Sequence, residues 1–256
     1  MCRCAIHHPS AQRHTPIPST APPTRPQPST GPSNGPPAPE SSTWGAGTGK
    51  LTAALLALDL DVIAVEPDPA MLTELHRTLP TVRALPGSAE NIPLPNDSID
   101  AVVAGNALHW FDMATAGPEI ARVLTPRGTL SGLWNVLDTR IEWVAELERI
   151  SGPAVIGPRD TITTWRAATA TLHLPGTASP SHFTTPEQAE FPHSQPRTAA
   201  SLVATLATRA GVLVMPEPAR QATLTRIHTY LSTRPETATG IFALPMQTGV
   251  LRTRLR

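Results

Sequence analysis

Between Gly45 and Trp134, short apolar runs with strand character alternate with helical segments, and this alternation constrains the fold more than any other feature of the chain. Leu51–Leu58 is rich in Ala and Leu and reads as a helix. Val62-Ile63-Ala64-Val65 reads as a buried strand, stopped by Glu66-Pro67-Asp68-Pro69. Ala70–Leu79 places Met71, Leu72, Leu75 and Leu79 at helical spacing. Short strands are expected at Thr81–Leu85 and, after the turn Pro95-Asn96-Asp97-Ser98, at Ile99–Ala104. A helix at Gly117–Leu124, closed by Pro126-Arg127-Gly128, leads to a strand at Thr129–Trp134. Such a pattern predicts an α/β protein with a mostly parallel sheet flanked by helices. Ligands of such sheets sit at the carboxyl ends of the strands. Beyond Trp134 the pattern loosens, with helices expected at Ile141–Ile150, Ala199–Arg209 and Pro216–Leu231 and a last strand at Thr248–Leu255.

Residues 1–43 have a different texture. They hold 11 of the 30 prolines, interspersed with Ser, Thr, Gln and His. Proline lacks an amide donor and fixes its own torsion, so a disordered or extended tail is expected over 1–43, followed by one domain over 44–256. The formal net charge is zero, which provides no field to attract nucleic acid or an anionic membrane. No stretch of apolar residues is long enough to span a bilayer, and no secretory signal opens the chain, so a cytoplasmic protein is expected. Cys2 and Cys4 are too close to staple a domain, and with His7 and His8 they match no zinc spacing, so no metal site is expected.

The strongest local signal is Gly45-Ala46-Gly47-Thr48-Gly49-Lys50. A triphosphate-binding loop would need glycine where Trp44 stands and a hydroxyl residue where Leu51 stands. A dinucleotide fingerprint would need its third glycine at position 50, which is lysine. Gly-x-Gly-x-Gly fits, because glycines let the backbone approach a ligand where a Cβ would collide. Glu66 ends the next strand, 21 residues after Gly45, where a carboxylate can accept both ribose hydroxyls of an adenosine. Taken singly, the loop also reads as a plain turn and Glu66 as a solvated strand end.

Several further segments join this pair: Gly87-Ser88-Ala89-Glu90-Asn91-Ile92-Pro93-Leu94, Ser98-Ile99-Asp100-Ala101-Val102-Val103, Ala107-Leu108-His109-Trp110-Phe111 and Leu244-Pro245-Met246-Gln247-Thr248. With the loop and Val65-Glu66-Pro67, they resemble the methyltransferase type 11 domain of the class I S-adenosylmethionine-dependent methyltransferases. The resemblance implies a Rossmann-like sheet, S-adenosyl-L-methionine as cofactor and a small-molecule methyl acceptor. It leaves the acceptor, the acceptor atom and the oligomeric state open. It places Gly45, Ala46, Gly47, Thr48 and Gly49 at the methionine end of the cofactor and Glu66 at the ribose. Ser88, Ala89 and Glu90 fall against the adenine, with Ser88 where the family often has an acid. Asn106 falls beside the methyl sulfonium, or is simply a turn residue. His109 is the candidate general base for a hydroxyl or carboxylate substrate, or a structural histidine. Trp110 either covers the sulfonium with its ring face or packs in the core.

Where the family has a buried strand before the glycine loop, ending in an acid, this chain reads Pro39-Glu40-Ser41-Ser42-Thr43-Trp44, with Thr43 at the acidic position. A degenerate or missing first strand is therefore expected. The composition of residues 1–43 is what a GC-rich coding stretch yields in a wrong frame, so a truncated member with weak donor binding and little turnover is expected. A non-catalytic adenosine-binding protein and an NAD-dependent oxidoreductase are the alternative readings.

Overall fold

The computed structural model describes residues 40–44, 46–170 and 182–256. The proline-rich stretch up to residue 39, with Cys2, Cys4, His7 and His8, lies outside the described residues.

Seven strands form one sheet: β1 (Glu40–Trp44), β2 (Asp61–Glu66), β3 (Arg83–Pro86), β4 (Ile99–Gly105), β5 (Leu124–Leu137), β6 (Glu187–Arg197) and β7 (Phe242–Arg254). Their spatial order is β3-β2-β1-β4-β5-β7-β6. The first five are parallel, and β7 runs antiparallel to both β5 and β6. Helices α1 (Lys50–Leu56), α2 (Pro69–Thr78) and α3 (Met113–Val123) connect the parallel strands. The α/β architecture with a mostly parallel sheet is the one expected. β2 is buried on both faces from Val62 onward, as a central parallel strand flanked by helices must be.

The expected gap at the first strand is filled. β1 pairs in parallel with β2, Thr43 opposite Ala64, and with β4, Thr43 opposite Val103. The folded part thus begins by Glu40 rather than at Trp44. The polar composition of this slot argued against a strand, but a strand needs backbone donors before it needs apolar side chains. Pro39 is the last proline before the glycine loop, so all five residues of β1 keep their N–H groups. Two neighbouring strands then overrule weak local propensity.

Three further differences have local causes. α3 starts at Met113 rather than Gly117, because the Asp112 side chain caps Ala114 N–H at 3.2 Å and the helix runs on through Pro118. β7 begins at Phe242, ahead of the expected Thr248. β6, with Pro192 and Pro196, is a strand beyond those expected; it lies at the sheet edge, bonded to β7 alone, where missing amide donors are tolerated.

β5 and β7 are long and stay paired to Leu137 opposite Met246. Helices α4 (Glu142–Ser151), α6 (Ala199–Ala207) and α8 (Glu217–Thr233) pack on this extension through Val144, Leu147, Leu202, Leu206, Ile227 and Leu231. Short helices α5 (Trp165–Ala170) and α7 (Ala210–Leu213) complete the described elements. Among the described residues no helix is long and apolar enough to cross a membrane, and no group of His, Cys, Asp and Glu residues has the arrangement of a metal site.

Candidate functional site

In the sheet order, β1 leads to β2 on one side while β4 lies on the other. A crevice opens at the carboxyl ends where the order reverses, between the loop after β1 and the loop after β4. Three cavities lie along it, of about 440, 390 and 930 Å³. Asn106 is on the wall of all three.

The glycine loop supplies one wall. Gly45 lies outside the described residues; Ala46, Gly47, Thr48 and Lys50 line the 440 Å³ cavity with Asn135 and Thr248 from β5 and β7. Gly47 is left-handed, with φ of +56°, and a Cβ added there would meet no protein atom within 4 Å. The space beside it is open to a ligand. Gly49 has a different role. It has φ of +89°, lines none of these cavities, and a Cβ there would stand 2.9 Å from Leu79 Cδ1. Its glycine character lets α1 start close against α2.

Glu66 terminates β2 and is 5% exposed. Its Oε2 accepts the Gly47 N–H at 2.8 Å and its Oε1 accepts the Asp68 N–H at 3.0 Å. Each carboxylate oxygen has a further lone pair, so ligand hydroxyls can still be accepted. The first role of this residue is thus to fix the loop. Asp68 accepts Ala70 N–H at 2.7 Å and caps α2, with Pro69 at its first position.

The 390 Å³ cavity gathers Gly47, Glu66, Ser88, Ala89, Glu90 and Asn106. Asp68, Met71, Trp110 and Phe111 also line it. Ser88 closes a tight turn, accepting the Asn91 N–H at 3.2 Å, and its hydroxyl has no partner among the described residues. Glu90 Oε1 accepts the Asp112 N–H at 2.9 Å, which ties this turn to the start of α3. Asn106 has φ of +53°, and its N–H donates to Leu133 O at 2.8 Å. It is therefore a turn residue and a cavity residue at once; its carboxamide has no partner among the described residues.

Trp110 is 74% exposed, which removes the expectation of core packing. It stands on the rim between the 390 and 930 Å³ cavities, 4.9 Å from His109 between ring centroids. A short 3-10 turn, Leu108–Trp110, explains the pair: Leu108 is fully buried and anchors it, so the next two residues face the crevice. His109 lies in the 930 Å³ cavity, half-buried. Its Nδ1 is buried without a partner, and Nε2 bonds no described residue. Burial first, and then the charge of Arg159, holds its pKa below the usual histidine value of 6.5.

The remaining wall of this cavity was not legible in the sequence. It comes from Trp134 and Asn135 on β5, the turn Gly157–Asp160, and residues around α6 and α7 such as Thr205 and Arg209. These lie far apart in the chain and meet only because the β5–β7 extension carries the helices. The turn is firmly tied. Asp160 Oδ2 accepts Gly157 N–H at 2.8 Å, Asp160 Oδ1 takes Arg209 Nη1 at 2.7 Å, and Asp160 O accepts Leu137 N–H at 2.7 Å.

The model of the methyltransferase domain family matches residues 43–131, which run from β1 into β5. An uncharacterized methyltransferase of Mycobacterium tuberculosis is 40% identical over 212 residues, covering 82% of this chain and 81% of the relative. A methyltransferase-like protein of Schizosaccharomyces pombe is 40% identical over 109 residues, 42% of this chain and 43% of its own length. Among solved structures, a candidate type II methyltransferase of Anaeromyxobacter dehalogenans superposes with a TM-score of 0.62 at 20% identity, covering 86% of this chain and 91% of that one. The fold is thus shared at low identity, and the mycobacterial similarity covers more than four fifths of both chains. The chain belongs to the class I S-adenosylmethionine-dependent methyltransferases.

Proposed function

We propose that this chain transfers the methyl group of S-adenosyl-L-methionine to a small molecule held in the 930 Å³ cavity. The observation that carries the reading is the position of Asn106, shared by the donor-side cavities and the third, larger one. The residues fit the donor on three counts. Gly47 leaves open the space a Cβ would fill. Glu66, Asp68 and Glu90 surround the 390 Å³ cavity with negative charge, which suits a sulfonium cation. Ser88 presents a free hydroxyl for an adenine amine.

In this reading Glu66 takes the ribose hydroxyls, and Ser88, Ala89 and Glu90 border the adenine. Ala46, Gly47 and Thr48 border the methionine end. The donor when bound supplies an activated methyl group. The protein contributes placement: the tied loop, the left-handed turn at Asn106 and the Trp110 ring hold the two ligands in line. Gly49 carries no direct role in this reading, since it lines none of the three cavities. Binding of S-adenosylhomocysteine to the full chain by calorimetry tests it. One site per chain, weakened by mutation of Glu66, is the expected result; no binding at millimolar ligand rejects the donor site and favours a non-catalytic protein.

A further inference from the structure

We infer that the 930 Å³ cavity is built for an acceptor bearing a carboxylate, and that Arg159 is the residue that selects it. The inference rests on the methyltransferase reading above. The charged groups on the cavity wall are Arg159, Arg209 and Asp160. Arg209 and Asp160 neutralise one another through the 2.7 Å ion pair, and the other Asp160 oxygen is taken by Gly157 N–H. Arg159 hydrogen-bonds and ion-pairs with none of the described residues, yet it is carried on a turn that three hydrogen bonds to Asp160 hold in place. An exposed guanidinium carried into a cavity by a tied turn, and neutralised by no ion pair, is a recognition element for a planar anion, which it can take bidentately. The cavity's net single positive charge suits a monoanionic carboxylate better than a phosphate dianion.

The chemistry of His109 agrees. A general base acting through Nε2 should have its Nδ1–H oriented by an acceptor, as in hydrolytic triads. Here Nδ1 is buried with no partner. The nearby Arg159 charge also opposes formation of an imidazolium. An acceptor hydroxyl would have to lose its proton to such a group. A carboxylate is already ionised at neutral pH and asks for no base. Its oxygen forms the new O–C bond as the S–C electron pair leaves with sulfur, giving a neutral ester and a neutral thioether with no proton released. On this reading His109 is a wall residue beside the acceptor, and Arg159 is the specificity residue.

The test measures binding rather than turnover. The full chain, with and without saturating S-adenosylhomocysteine, is titrated with benzoate and butyrate, with the neutral benzamide and butyramide, and with inorganic phosphate. Wild-type protein should bind at least one acid tenfold or more tightly than its amide and than phosphate. Arg159→Gln should abolish that preference while binding S-adenosylhomocysteine as the parent does, and Arg159→Lys should retain part of it. Equal affinity for acids in wild type and Arg159→Gln, no acid binding, or a preference for amides or phosphate would overturn the inference. If S-adenosylhomocysteine binds in those cases, the methyltransferase reading stands and only the acceptor class falls. If it does not bind, that reading falls as well.

Discussion

The Glu66 carboxylate holds the Gly47 amide at 2.8 Å, so the end of β2 fixes the loop that follows β1. The residue that a ribose would use is also the residue that keeps the glycine loop in its ligand-ready shape. A mutation there acts on two contacts at once. Glu66→Ala should weaken S-adenosylhomocysteine binding by on the order of 1–3 kcal/mol, as expected for lost charge-assisted hydrogen bonds. Glu66→Gln, which keeps one acceptor oxygen, should fall between. Calorimetry on both variants checks the order, and equal affinities in all three proteins would remove Glu66 from the site.

Trp110 separates fold from function, because it is exposed and touches two cavities. Trp110→Ala should change thermal stability by no more than about 0.5 kcal/mol, as at most surface positions. It should lower affinity for the cationic donor by about 0.5–2 kcal/mol, the range of a cation–π contact, and affinity for the neutral thioether product by less. An unchanged ratio of the two affinities would take the ring away from the sulfonium.

His109 should titrate below its ordinary pKa of 6.5, because its burial and the Arg159 charge both favour the neutral ring. The NMR midpoint in Arg159→Gln should rise, since a like charge is gone, and should stay under 6.5, since burial is the larger cause. A midpoint at or above 6.5 in the parent protein would contradict the described environment.

Asp138 is lowered to about 2, chiefly by its hydrogen bonds from Arg140, with Gln247 Nε2 adding one at 2.8 Å. Its folded pKa lies below the ordinary 3.8, so its contribution is complete above about pH 4 and is lost as pH falls toward 2. Arg140 is more than half exposed, so solvent screening keeps the contribution of the pair small. Arg140→Ala should therefore be less stable than the parent at pH 6, by a margin that has narrowed at pH 2.5. Denaturant unfolding at the two pH values measures this, and a difference that grows toward acid would reverse the sign.

The first strand makes its own demand. Ser42 pairs with Ile63 on one side and Val102 on the other. Ser42→Pro removes an amide donor from the centre of the sheet and should cost on the order of 1–3 kcal/mol or more, with donor binding lost alongside. A variant as stable as its parent would mean that Glu40–Trp44 is not a central strand.

Much of this site was visible in the sequence because its signals are local. The Gly47 loop, Glu66 at a strand end and Ser88–Glu90 each announce themselves within a few residues. The first strand was not visible, since Glu40–Trp44 owes its conformation to β2 and β4 rather than to its own side chains. Trp110 misled for a related reason: an aromatic beside Leu108 and Phe111 looks like core, and only the 3-10 turn shows it facing out. The acceptor wall was hidden by distance, with Arg159 and Arg209 brought to His109 by elements scattered along the chain. The expectation of a weak, truncated domain rested on an absent strand, on Thr43 at the acidic position and on the composition of residues 1–43; of these, the strand is in place.

The central claim is that the crevice between the loops after β1 and β4 holds the methyl donor in this chain. Amide hydrogen exchange on residues 46–49, 66–68, 88–90 and 105–107, with and without saturating S-adenosylhomocysteine, tests it most directly. The predicted result is slowed exchange in all four segments on binding, strongest at Gly47 and Asp68, with more ligand needed to reach it in Glu66→Ala. Binding that leaves these segments unprotected, or protects only the β6–β7 side of the sheet, would contradict it.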